Sequence, residues 1–178
     1  SSVFHSQEPV QKKEKDDVDK RKKIWLKFTS PTGYHRQLLV TADTKASNNY
    51  DLGFDALLIE NNAEDMYWFF SEVEFIIQGV PHLNRDQVLP LGIKVKKNTK
   101  FTIRIDDLEN ISDDMEIYLK DKQLKLLHDL RESDYKATAE PGTINDRFEL
   151  VFQGEDSNPG VPDGGSEEGG EDGGDGVG

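Results

Sequence analysis

The chain has 178 residues, a net charge of −13 and no cysteine. This length allows one domain with a substantial core plus tails, and it excludes two large domains. The lack of cysteine excludes a disulfide framework and thiol chemistry. Residues 154–178 hold eight acids and no base, so residues 1–153 carry a net charge of only −5.

Charge and apolar patterning also restrict the partners. Nucleic acid is not an expected partner, because neutralising phosphates needs a surplus of Lys and Arg on one face. No apolar run is long enough to cross a bilayer, and residues 1–10 lack the pattern of a signal peptide. We therefore expect no membrane insertion. The chain starts without Met, and we expect an interior piece of a longer protein or a mature product.

The first predicted elements lie on either side of residue 23. In residues 1–23 a short apolar pair predicts an edge strand, and the mixed-charge run after it predicts a solvated loop. Ile24, Leu26 and Phe28 share one face of an alternating segment, which predicts a strand, and residues 34–42 are predicted to be a second strand. The letters SPTG between them predict a turn. We expect these strands to form a hairpin or to be neighbours.

A long polar loop and a row of aromatics occupy the middle of the chain. Residues 43–56 form a loop whose length indicates either a functional role or a packed excursion. Residues 66–70 are Met followed by four aromatics. Such a row without alternation predicts a strand that is buried on both faces, or one that exposes an aromatic. The apolar segment that ends at residue 80 predicts the next strand.

Residues 88–152 determine the predicted fold class. Their segments alternate apolar and polar residues between clusters of Asn, Asp, Gly and Pro, which predicts consecutive antiparallel strands with one buried face. Pro90 and Gly92 favour an edge position or a bulge. A turn at Pro141 and Gly142 predicts that the last two strands form a pair.

Roughly eight to ten strands are expected in all, and no segment has convincing helical spacing. This number predicts an all-β fold, an antiparallel β-sandwich of the jelly-roll or immunoglobulin-like kind over residues 24–153. Ten of the last 25 residues are Gly, and most of the others are Asp, Glu, Ser or Pro. Residues 154–178 are therefore predicted to be a disordered, acidic, Gly-rich linker.

The sequence contains no catalytic motif. Its four histidines are scattered without metal-ligand spacing, and no nucleophile elbow occurs. Acids are so frequent that no pair of them can be singled out as glycosidase carboxylates. We expect a protein that is not an enzyme.

One loop offers oxygen ligands for calcium. Asp43, Asn48, Asp51 and Asp55 lie within a short stretch, and Ca²⁺ takes six to eight hard oxygen ligands. The alternative is that these residues form Asx turns and solvate the loop. We favour the alternative, because the spacing of an EF-hand is absent. No cofactor is expected, and calcium is the single candidate that the sequence offers.

Exposed aromatics are the usual basis of sugar binding by β-sandwich modules, because a sugar ring has an apolar face and a polar rim. The candidate platforms are Trp25, Tyr34, Tyr50, Tyr67 and Trp68. The alternative is that these aromatics fill the core, and we favour it for Trp68.

Two charged segments are interpreted as architectural. Asp129 and Arg131 follow one predicted strand, and Asp146 and Arg147 precede the apolar face of the last one. An Arg in such a place can bond backbone carbonyls or a carboxylate and tie a loop to the sheet. Losing one buried bond of this kind lowers stability by about 1 to 3 kcal/mol.

Several linked segments also point to a known family. VLPLGIKV, FTIRIDDLENI, IYLKDKQ, LLHDLRESDY and NDRFELVF resemble the β-sandwich module that precedes the C-terminal sorting domain in type IX-secreted proteins of Bacteroidetes. IWLKFTSPTGYHRQLLVTAD, NYDLGFDA and EDMYW resemble the companion segment. The resemblance implies an extracellular or cell-surface protein whose partners are its neighbouring domains and the secretion machinery.

These observations predict a non-catalytic structural or interaction module of a secreted or cell-surface bacterial protein. In that setting the acidic linker leads into a sorting signal. The alternative is a carbohydrate-binding or adhesin module, with or without calcium, whose partner is a glycan.

Overall fold

A computed structural model describes residues 19–46 and 55–154. These residues form eleven β-strands and no helix, which confirms the predicted all-β class. In chain order the strands are β1 (Lys23–Thr29), β2 (His35–Ala42), β3 (Ala56–Leu57), β4 (Asp65–Phe70), β5 (Val73–Val80), β6 (Val88–Val95), β7 (Phe101–Glu109), β8 (Tyr118–Asp121), β9 (Leu126–Asp129), β10 (Tyr135–Ala137) and β11 (Gly142–Val151). The predicted linker after Gly154 and the predicted edge strand near the first residues lie outside the described residues.

Hydrogen-bonded ladders join all eleven strands into one sheet. Its order is β10-β7-β1-β2-β5-β4-β6-β11-β8-β9, with β3 attached to β5. The predicted division into two sheets, and with it the immunoglobulin-like or jelly-roll arrangement, is not confirmed. The predicted antiparallel pairing holds for every described pair except β2 with β5, which run parallel. The predicted β1–β2 hairpin is present.

The sheet curls until its two ends meet, so that it is nearly closed into a barrel. The Tyr135 ring on β10 lies 5.2 Å from the His128 ring on β9, measured between centroids. Inside the curl, the Phe101 ring on β7 lies 5.8 Å from the Phe148 ring on β11. Side chains therefore bridge the terminal strands and fill the space between the two halves of the sheet.

The core follows from the alternation seen in the sequence. On β1, Ile24, Leu26 and Phe28 are fully buried, whereas the residues between them are half-buried. Ile117 and Leu119 are likewise buried around the start of β8. Burying one such side chain contributes about 1.5 to 3 kcal/mol, so the inner face of the sheet supplies most of the driving force for folding.

The row of aromatics in β4 is buried on both faces, which agrees with the first of the two alternatives predicted for residues 66–70. Met66 and Trp68 belong to the inner core. Tyr67 points to the other face and is also fully buried, because Phe69 and Lys94 lie against its ring. The Tyr67 hydroxyl donates a hydrogen bond of 2.6 Å to Asn145 Oδ1 on β11.

Of the two alternatives for β6, the edge position is wrong, because β6 is an inner strand between β4 and β11. The bulge alternative agrees with the structure, because the β6–β11 register shifts between Ile144 and Phe148, opposite Gly92. A second prediction is corrected. The last two strands do not form a pair, because β10 is hydrogen-bonded to β7 and β11 to β6 and β8.

Gly92 explains how β6 can lie beneath Tyr67. Tyr67 is directly paired with Gly92, and a Cβ atom at residue 92 would collide with the Tyr67 ring and with Asn145 Oδ1. The missing side chain leaves the space in which β4 and β11 are tied together across β6. The glycine is therefore required by close packing rather than by an unusual backbone angle.

We expect Gly92→Ala to lower the free energy of unfolding by about 1 to 3 kcal/mol, the range for overpacking a well-filled site. Urea denaturation measures the change. Tyr67→Phe keeps the ring and removes only the hydroxyl, so it is the matched control, with an expected loss of about 1 kcal/mol. A Gly92→Ala protein as stable as the wild type would contradict this account.

Candidate functional site

A buried ionic cluster lies where the two ends of the sheet meet. Asp121 ends β8 with its carboxylate pointing inward, and it is 0% exposed. Arg147 of β11 is 4% exposed and donates from Nε and Nη2 to the two Asp121 oxygens, both at 2.9 Å. The Tyr135 hydroxyl of β10 donates to Asp121 Oδ2 at 2.5 Å. Three strands therefore converge on one carboxylate.

Further hydrogen bonds complete the cluster. Arg147 Nη1 donates to the Thr138 carbonyl at 2.9 Å, and Asp121 Oδ1 accepts from the backbone amides of Gln123 and Leu124 at 3.1 Å. Burial by itself raises the pKa of Asp121, but the bonds from Arg147 and Tyr135 outweigh it and hold the pKa below its usual value. Burial and the neighbouring carboxylate raise the pKa of Tyr135.

The remaining predicted architectural residues occupy the loops around this cluster. Arg131 Nη1 donates to the carbonyls of Ser112 and Met115 at 3.1 and 2.9 Å. Asp129 Oδ1 accepts from the Arg131 amide at 2.9 Å and shapes the turn after β9. Asp146 is exposed. Arg131 and Arg147 thus make the kinds of bond that the sequence suggested, and Asp121, the carboxylate that Arg147 binds, was not predicted.

A second buried acid fastens the turn between β1 and β2. Glu64 Oε1 accepts from the Ser30 hydroxyl at 2.6 Å and from the Thr32 hydroxyl. Glu64 Oε2 accepts from the Lys96 amide at 2.9 Å. Burial raises the pKa of Glu64, and these hydrogen bonds together bring it below its usual value.

The next residue, Asp65, binds Arg36 of β2 through two bonds. Arg36 Nε donates to Asp65 Oδ1 at 2.8 Å, and Nη2 donates to Oδ2 at 3.1 Å. Asn62 and Arg36 also donate to the Tyr34 hydroxyl at 3.1 and 3.0 Å. These charges and hydroxyls are satisfied by one another, which indicates a structural role for them.

The predicted calcium ligands are described only in part. Asn48 and Asp51 lie outside the described residues. Asp43 Oδ1 accepts from the Lys45 amide at 2.9 Å, and Asp55 Oδ1 accepts from the Gly79 amide at 2.7 Å. Within the described ranges, no three His, Asp or Glu side chains are grouped as metal ligands. The Asp43 bond is the local kind that the Asx-turn alternative proposes, whereas Asp55 bonds a backbone amide of β5, far along the chain.

The predicted sugar platforms do not form one surface. Tyr50 lies outside the described residues, and Tyr67 and Trp68 are fully buried, so neither offers a ring face to a ligand. Trp68 Nε1 donates to the Leu39 carbonyl at 3.0 Å, which anchors it in the core. Trp25 and Tyr34 are half-buried, and the hydroxyl of Tyr34 is already bonded.

An open groove of about 510 Å³ lies on the outer face of β6, β11, β8 and β9. Alternation explains its lining, because the residues next to the inward-facing Leu119 and Asp121 point outward. Four cations line it, namely Arg85, Lys120, Lys122 and Lys125, against a single acid, Glu149. We call this surface the basic groove.

The basic groove also has apolar walls and lies where the described chain ends. Val88 and Leu126 line it and are 48% and 37% exposed. Lys122 Nζ lies 3.4 Å from Glu149 Oε2, and Arg85 Nη2 donates to Gln153 Oε1 at 3.4 Å. Gly154, the last described residue, belongs to the lining. The arrangement suits a ligand that carries both negative charge and apolar groups.

The fold and these sites define an all-β domain with one curled sheet, a buried ionic cluster and a basic groove. The chain belongs to the family described as Domain of unknown function (DUF8693), whose model matches residues 1–152. No curated protein and no solved structure matches the chain. Among the residues that the structure describes, no helix is long and apolar enough to span a membrane.

Removing Arg147 leaves Asp121 as an uncompensated buried charge. We expect Arg147→Ala to lower the free energy of unfolding by about 3 to 5 kcal/mol, the range for breaking a buried ion pair. Chemical denaturation measures it. The matched control is Arg131→Ala, which removes an Arg that binds only carbonyls and is expected to cost less. The double variant Asp121→Asn with Arg147→Met removes both charges and should be more stable than Arg147→Ala; the reverse order would contradict the account.

Stability in acid is expected to depend on the same carboxylate. The pKa of Asp121 is lower in the folded protein than its usual value of about 3.9. Its ionised form therefore stabilises the fold fully above about pH 5, and this contribution is lost as the pH falls through the folded-state pKa.

We expect the wild-type free energy of unfolding to decrease below about pH 4, and we expect this decrease to be smaller in Asp121→Asn. Urea denaturation across this pH range measures both, with Asp146→Asn as the exposed control; equal slopes for wild type and Asp121→Asn would contradict the prediction.

Proposed function

We propose that this chain is a non-catalytic interaction module that binds an acidic, partly apolar polypeptide segment in the basic groove. The observation that carries the proposal is the concentration of four cations against one acid on a chain whose net charge is −13. Like charges gathered on one face raise the local concentration of an oppositely charged ligand and speed its association.

The apolar walls favour a polypeptide over a nucleic acid. Val88 and Leu126 offer surface to aliphatic side chains placed between the acids of a peptide. Single-stranded nucleic acid is usually held by aromatic rings on which bases stack, and no aromatic ring is found among the described residues that line the groove.

The expectation of a non-catalytic role draws support from the buried polar groups. The carboxylates of Asp121, Glu64 and Asp65 each accept several hydrogen bonds within the fold. Groups engaged in this way hold strands and turns together and are not available to a substrate. Such a module acts by positioning a partner.

The cellular setting remains a prediction from the resemblance to modules of type IX-secreted proteins. In that setting the acidic partner would belong to a neighbouring domain or to the secretion machinery, at the cell surface or outside the cell. The carbohydrate-binding alternative, with calcium, has less support, because Tyr67 and Trp68 are buried and Tyr34 is bonded by Arg36 and Asn62.

The proposal is tested with a short fluorescein-labelled peptide of Glu and Leu and the full chain. We expect saturable binding that weakens as salt is added. Lys120→Gln combined with Lys125→Gln should weaken it by up to about tenfold, because exposed charge pairs contribute up to about 1 kcal/mol each and about 1.4 kcal/mol is a tenfold change. Fluorescence anisotropy measures the affinity.

The matched control removes two exposed lysines outside the groove, Lys97→Gln with Lys100→Gln, and should bind like the wild type. Equal weakening by both pairs would show that only net charge matters and would overturn the groove as the site. Tighter binding of a labelled oligonucleotide than of the peptide would overturn the choice of partner, and binding of a glycan in its place would favour the carbohydrate alternative.

A further inference from the structure

The basic groove has a candidate ligand within the same chain. Residues 155–178 contain eight acids and no base, which is the charge that the groove complements. We propose that this acidic segment occupies the basic groove of its own chain and competes there with acidic partners. The inference rests on the proposed function and adds a means of regulation to it.

The path of the chain carries this inference. β11 ends at Val151, which is paired with Tyr118 of β8. Three residues later, a Cβ atom at Gly154 would lie 3.1 Å from the Tyr118 hydroxyl oxygen, so the backbone runs close against that ring. Gly154 also lines the groove. Lys120, which lies on β8 with Tyr118, lines it too. The chain therefore leaves the described fold along the groove wall, and the first acids, Glu155 and Asp156, follow at once.

Attachment at the groove makes the segment an effective competitor. A segment joined to its site by a short connection acts at an effective concentration on the order of millimolar. If its own dissociation constant is about 0.1 mM, it raises the apparent dissociation constant of a free peptide about tenfold. Weak contacts to Lys120, Lys122 and Lys125 are thus enough to prevent a partner of moderate affinity from binding. A partner of higher affinity displaces the segment.

The test compares the full chain with a full-length variant in which all eight acids are changed, Glu to Gln and Asp to Asn. The altered residues are Glu155, Asp156, Asp163, Glu167, Glu168, Glu171, Asp172 and Asp175. We expect the labelled Glu and Leu peptide to bind this variant about tenfold more tightly than the wild type. Adding Lys120→Gln and Lys125→Gln to the variant should remove the gain.

The outcomes separate this inference from the proposed function. Equal binding to wild type and variant would overturn occupancy by the segment and leave the groove as a peptide site. No binding to either protein would overturn both. In amide NMR spectra of the free proteins, we expect the neutralised segment to shift Lys120, Leu127 and Val151 in the groove and to leave Thr102 on β7 unchanged. Shift differences that vanish on dilution would show that the segment comes from a second copy, which would overturn occupancy within one chain.

Discussion

The buried carboxylate of Asp121, bonded by both Arg147 and Tyr135, is the constraint on which the closure of the sheet depends, because the Tyr135 bond joins β10 to β8. β9 and β10 end the sheet, and side chains bridge them where the backbone ladder stops. A carboxylate taken out of water is costly unless it is paired and hydrogen-bonded, so Asp121 can be buried only if Arg147 and Tyr135 reach it together. That requirement fixes the positions of β8, β10 and β11 relative to one another, whereas apolar packing alone would be compatible with several arrangements of these strands.

The same carboxylate also shapes the groove. Asp121 accepts the amides of Gln123 and Leu124 and thereby forms the turn between β8 and β9. That turn presents Lys122 and Lys125, and Lys125 has a positive φ of 57°, a conformation uncommon for a residue with a side chain. Because side chains alternate along a strand, the inward position of Asp121 implies the outward position of Lys120. The buried cluster and the exposed lysines therefore lie on opposite sides of β8 and the turn that follows it.

Alternation was enough to predict the all-β class and the core face of β1, because a half-buried strand has a period of two. The aromatic strand β4 was predicted from the opposite pattern, an apolar row without alternation. The order of the strands was not predictable in this way, since the parallel β2–β5 pair and the β10–β7 pair join segments far apart in sequence. Asp121 did leave a signal: it stands two residues after Leu119, in the inward register, where an acid requires a buried partner. The basic groove left none, because Arg85 and Lys120 approach each other only through the fold.

Screening decides how an acidic chain can attract an acidic partner. At physiological salt the Debye length is about 8 Å, so a ligand in the groove interacts with the nearby lysines far more strongly than with distant acids on the same domain. Net charge therefore governs only the approach from afar, and local charge governs the bound state. In the proposed competition, residues 155–178 follow directly on Gly154, which lines the groove. A segment attached at the groove needs no approach from solution, whereas any free acidic partner must first cross the repulsive field of the whole chain.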